Sequence, residues 1–137
     1  MLKEDQYQFW VSLSVSRTIA SGSSMSSFHV YLYGPDCAPI ESSFENAAQR
    51  LQSLTALYFE PDGSFVWSPH DGAQQVYGML YDAAERLQYV ELWGNCERDT
   101  WHQVVEAIRG TATHELAVMQ LPERQLQDLQ RFEETAF

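Results

Sequence analysis

Polar and apolar residues alternate along residues 7–16, where Phe9, Val11, Leu13 and Val15 interleave with Gln8, Trp10, Ser12, Ser14 and Ser16. Alternation sends successive side chains to opposite faces, so this stretch reads as a half-buried strand. Phe28 to Tyr33 repeats the pattern, with Phe28, Val30 and Leu32 inward, and is expected to run antiparallel to the first strand. The serine- and glycine-rich residues 21–27 between them read as a loop. After the break at Gly34-Pro35 the period changes. Phe44, Ala47, Ala48, Leu51 and Leu54 recur at helical spacing, and Ser42 with Glu45 predicts a capping box in front of them.

The sharpest local signal follows, in Leu57-Tyr58-Phe59-Glu60-Pro61-Asp62-Gly63-Ser64-Phe65-Val66-Trp67. Pro61 presets φ for the first position of a type I turn, Asp62 suits the second, and Gly63 can take the left-handed conformation of a G1 bulge. Closure at Glu60 and Ser64 would set Phe59 opposite Phe65, Tyr58 opposite Val66 and Leu57 opposite Trp67. Leu57, Phe59, Phe65 and Trp67 then share one face, and Tyr58 and Val66 the other.

Strands are predicted next over Gln75–Asp82 and Leu87–Trp93, turning at Ala83–Arg86 and ending at Gly94-Asn95-Cys96. A second helix, capped at Asp99 or Thr100, carries the stripe Trp101, Val104, Val105 and Ile108 and stops at Gly110. Glu115–Leu121 reads as a strand. Pro122 is expected to open a last helix on which Leu126, Leu129 and Phe132 fall at helical spacing.

Val30-Tyr31-Leu32-Tyr33-Gly34-Pro35-Asp36-Cys37 resembles Val90-Glu91-Leu92-Trp93-Gly94-Asn95-Cys96 once Pro35 is taken as an insertion. Each segment is preceded by a strand and followed by a helix and another strand. The pattern suggests a pseudo-twofold ββαβ duplication over residues 7–60 and 73–121, joined by the strand around 64–68. The expected fold is therefore α+β, with residues 1–137 as a single domain. It comprises a large, mainly antiparallel sheet of about six or seven strands, two helices on one face, and a C-terminal helix at the edge or across the other face.

Parity along the strands then groups Trp10, His29, Tyr31, Tyr33, Tyr89 and Trp93 on the face turned away from the two helices. Aromatic residues concentrated on an open face suit a binding surface, because they bring large contact area with a polar handle. The competing expectation is that the C-terminal helix or a second copy of the chain covers them.

Composition narrows the function classes. The 137 residues are 45% hydrophobic and 13% aromatic, a globular balance. The net charge of -11 repels phosphate backbones, so no nucleic-acid partner is expected. No apolar run reaches membrane-spanning length and the N-terminus lacks the order of a secretory signal, so the expected location is cytoplasmic, with no membrane partner. Cys37 and Cys96 are too few for a disulfide framework and read as small packing residues, each beside carboxylates that disfavour a thiolate. His29, His70, His102 and His114 form no metal-binding spacing. His102 and Glu106 suit an ordinary i,i+4 pair. His70-Asp71 has no partnered nucleophile, and no phosphate-binding glycine loop occurs, so neither catalysis nor a cofactor is expected. The reading that results is a non-enzymatic binding or protein-interaction module acting through its aromatic face on a protein partner or as a homodimer. Its alternative is an acidic inhibitor, immunity-type or chaperone-like protein for a basic partner, ahead of a small enzyme.

Overall fold

In the computed structural model, which describes residues 25–69, 72–111 and 115–137, the Pro-Asp-Gly turn closes as its residues require. Glu60 N donates to Ser64 O at 2.9 Å and Gly63 N donates to Glu60 O at 3.0 Å. Gly63 sits at φ 99°, and Asp62 Oδ1 accepts from Ser64 N at 2.9 Å and Ser64 Oγ at 2.7 Å. The turn joins β2 (Leu57–Phe59) to β3 (Ser64–Trp67), paired Leu57 to Trp67, Tyr58 to Val66 and Phe59 to Phe65.

The other elements are β1 (Met25–Tyr33), α1 (Phe44–Gln52), β4 (Gln75–Ala83), β5 (Arg86–Glu97), α2 (Arg98–Arg109), β6 (Ala117–Gln120), β7 (Gln125–Asp128) and α3 (Leu129–Ala136). The strands form one antiparallel sheet in the order β2-β3-β4-β5-β1-β6-β7. This is the expected α+β architecture, with seven strands among the described residues. The strand expected over residues 7–16 lies outside them.

Five local readings change. The second helix is not capped at Asp99 or Thr100, which lie inside its first turn; it starts at Arg98, with Glu97 as a cap that makes no side-chain bond. Met25, Ser26 and Ser27 are not loop but the start of β1, held by pairing with Glu97, Cys96 and Asn95. Their partner strand β5 does not end at Gly94; it continues to Glu97. The cap of α1 is Ser43, whose Oγ accepts from Asn46 N at 3.0 Å, because Ser42 Oγ instead receives Arg50 Nη2 at 2.8 Å. Finally, Pro122 does not open a helix. Residues 125–128 pair with β6 as β7, and the helix starts only at Leu129, capped by Asp128 Oδ1 accepting from Arg131 N at 2.7 Å.

The two matched segments face each other at the sheet centre. Val30 lies opposite Leu92, Tyr31 opposite Glu91 and Leu32 opposite Val90. The flanking strands do not continue this two-fold relation, since β6 pairs with β1 whereas β2 pairs with β3.

All three helices lie on one side of the sheet. Phe28, Val30, Leu32, Val76, Leu80, Val90 and Leu92 point there and are buried with Ala47 and Leu51 of α1 and Trp101, Val104 and Ile108 of α2. Trp101 is the hub at one end. Its ring centroid lies 5.0 Å from Phe28 and 5.2 Å from Phe132 of α3, and its Nε1 donates to Glu133 Oε2 at 2.9 Å. The C-terminal helix thus packs beside α2 and leaves the opposite sheet face uncovered by helix among the described residues. No helix among them is long and apolar enough to cross a membrane.

The β4–β5 turn is locally unfavourable. Ala84 and Glu85 sit at φ 52° and 62°, left-handed values that a type I′ turn demands and that Asn-Gly meets best. The double change Ala84→Asn with Glu85→Gly is expected to stabilise the fold by about 1 kcal/mol, read as a higher urea midpoint with an unchanged m-value.

Candidate functional site

Strand parity and register together build an aromatic layer on the helix-free face. His29 lies opposite Trp93, Tyr31 opposite Glu91, Tyr77 opposite Trp93 and Tyr81 opposite Tyr89. Tyr31, Tyr33, Tyr81 and Tyr89 form one ring cluster. Tyr89 stands 5.1 Å from Tyr31, 5.4 Å from Tyr33 and 4.6 Å from Tyr81, stacked on the last at 21°. A second cluster holds Tyr77 stacked on Trp93 at 5.6 Å and 12°, with His29 at 6.0 Å from the Trp93 ring.

Glu91 joins the two clusters. Its Oε2 lies 2.8 Å from His29 Nε2, and its Oε1 accepts from Tyr81 OH at 3.2 Å. Burial, then the Glu91 charge and hydrogen bond, pushes the Tyr81 phenol up to about 12. Burial also raises Tyr33 and Tyr89. These three phenols stay protonated at neutral pH, so the tyrosines present neutral rings and hydroxyl donors, of which Tyr81 bonds Glu91.

Of the residues singled out by parity, His29, Tyr31, Tyr33, Tyr89 and Trp93 occupy this layer, and Trp10 lies outside the described residues. Their roles differ. Trp93 is only 4% exposed and forms part of the floor, whereas His29, Tyr31, Tyr33 and Tyr89 are half-buried. Sequence reasoning missed Tyr77 and Tyr81 as members of the layer. The alternation of Gln75, Tyr77, Met79 and Tyr81 against Val76, Gly78 and Leu80 carried that signal.

Towards the β2 edge the layer dips into a depression of about 230 Å³ lined by Tyr58, Glu60, Ser64, Val66, Tyr77 and Trp93, among others. Tyr58, 69% exposed, stands at its rim.

Cys96 is buried, and burial pushes its thiol up, away from thiolate reactivity. Cys37 departs from the packing role expected of it: it is exposed, at the end of the short Pro35–Cys37 turn. The two thiols lie toward opposite ends of β1, because Cys96 pairs with Ser26 near its start whereas Cys37 follows Tyr33 at its end. His102 does not pair with Glu106. Its Nε2 lies 3.3 Å from Glu133 Oε1, and Glu106 instead faces Arg109 Nη1 at 3.8 Å. Among the described residues, no group of three His, Cys, Asp or Glu side chains is placed to hold a metal ion. His70, Asp71 and His114 lie outside them.

Comparison with protein-family models, with curated proteins and with solved structures finds no match.

Proposed function

We propose that this chain is a non-enzymatic binding protein that takes a protein partner on the aromatic face of its sheet. The observation that carries the reading is the continuity of the layer. Tyr31, Tyr33, Tyr81 and Tyr89 are in ring contact with one another on a face that none of α1, α2 and α3 covers. Rigid strands hold these side chains, so little rotamer entropy remains to be lost on binding, and rings of this kind dominate interface energetics. The net charge of -11 favours a heterologous partner over a second copy, and it supports the related reading of an acidic protein that occupies a basic partner.

The half-buried tyrosines can be cut back without opening the core. Tyr33→Ala and Tyr89→Ala are expected to lower stability by about 1–2 kcal/mol each, leaving the chain folded, while weakening partner capture by about tenfold or more each. Quantitative capture from an extract of the source organism, with light scattering for the mass of the free chain, checks this. Capture that survives both substitutions, with a monomeric free chain, overturns the reading.

A further inference from the structure

We infer that the depression between β2 and β5 is a seat for an arginine side chain of a basic protein partner. This inference rests on the aromatic face being the binding surface, and it names the chemistry recognised there.

Size points first to a side chain. At about 230 Å³ the depression falls below the roughly 300–1,000 Å³ of small-molecule sites, and its lining reaches β2, the outermost strand on that side of the sheet. Its walls are aromatic. Tyr58 stands exposed on one side, and Tyr77, stacked on Trp93, forms the other side and floor. Ring faces of this kind attract a cation through their quadrupole. Among the described residues, Glu60 is the one charged side chain lining the depression, so a carboxylate stands ready to pair with the cation and no Lys or Arg there competes.

The wider field agrees. A chain of net charge -11 draws a basic partner toward any exposed site and repels its own copy. Arginine suits the seat better than lysine because its planar guanidinium can stack on a ring while its edge donates to a carboxylate. An ammonium offers a more strongly hydrated point charge without that plane.

The test titrates the full chain with nona-arginine and nona-lysine peptides, followed by tyrosine ring NMR shifts and tryptophan fluorescence. Nona-arginine is expected to bind more tightly than nona-lysine, and its affinity to fall as salt rises from about 50 to about 300 mM. Tyr58→Leu is expected to weaken nona-arginine about threefold to fivefold, and Tyr58→Phe, which keeps the ring, to restore wild-type affinity. Glu60→Gln is expected to weaken it to a similar extent, whereas Glu134→Gln on α3 leaves it unchanged. Tyr58 is exposed, so these variants test the seat rather than the core. Wild-type affinity in both Tyr58→Leu and Glu60→Gln overturns the inference, as does self-association that strengthens with salt and is lost in Tyr58→Leu. The two proposals separate cleanly. Loss of partner capture in Tyr33→Ala and Tyr89→Ala, with neither Tyr58→Leu nor Glu60→Gln affecting nona-arginine, keeps the aromatic face and removes the seat. The reverse pattern keeps the seat and confines partner binding to it, away from the Tyr33–Tyr89 cluster.

Discussion

Gly94→Ala is expected to destabilise the fold by about 3 kcal/mol, far more than an ordinary glycine replacement in a strand. A Cβ at this position would stand 2.2 Å from Gln75 O, 3.1 Å from Gln75 C and 3.2 Å from Val76 Cα. All three are backbone atoms of β4, so no rotamer change relieves the clash. The residue also sits at φ 137°, which L side chains rarely adopt. Strain and overpacking therefore act together. The only relief is to move β4 away from β5, and that displaces Tyr77 from Trp93, the stacked pair beneath the proposed arginine seat. A lowered urea midpoint with a weakened near-ultraviolet tryptophan signal is the expected result. A loss below about 1 kcal/mol would mean that β4 can part from β5 at Gly94 at little cost.

Trp101→Ala carries the second large effect, a loss of about 3–5 kcal/mol. Its side chain is fully buried and touches three rings at once: Phe28 on β1, Phe132 on α3, and Phe137 just beyond α3 at 5.9 Å. Removing the indole empties the junction where α3 meets α2, so backbone amide protection in α3 should fall first. Trp101→Phe keeps most of the ring contacts and loses the bond from Nε1 to Glu133, at a cost of about 1 kcal/mol. The comparison separates packing from hydrogen bonding at this junction. Equal losses in the two variants would place the stabilisation in the polar contact instead.

These two sites also mark where sequence reading succeeds and where it stops. Trp101, Val104, Val105 and Ile108 were legible as the buried stripe of a helix because helical periodicity is a property of the local chain. Gly94 was legible only as a glycine and was read as a strand end. It is instead a mid-strand position chosen for the approach of Gln75, and that neighbour is distant in sequence. The C-terminal segment makes the same point. Leu126, Leu129 and Phe132 have helical spacing, yet Leu126 is 48% exposed on β7 while Leu129 and Phe132 are buried on α3. The exposed backbone edge of β6 recruited residues 125–128, and tertiary pairing overrode a local pattern.

The candidate site divides along the same line. Parity alone assigned His29, Tyr31, Tyr33, Tyr89 and Trp93 to one face, because side chains in a strand must alternate. Parity could not say which of them are reachable, and Trp93 proved to be floor while Tyr58 proved to be rim.

By itself, then, the sequence determined the elements whose signals are local: the Pro61-Asp62-Gly63 turn and its register, the two amphipathic helices, the two faces of β1, β2, β3 and β5, and the acidic charge. The strand order, the docking of α3 beside α2, the close approach at Gly94 and the shape of the depression at Tyr58 were decided only by tertiary structure. Each depends on which distant segments share an edge or a contact, and no periodicity within one segment encodes that choice.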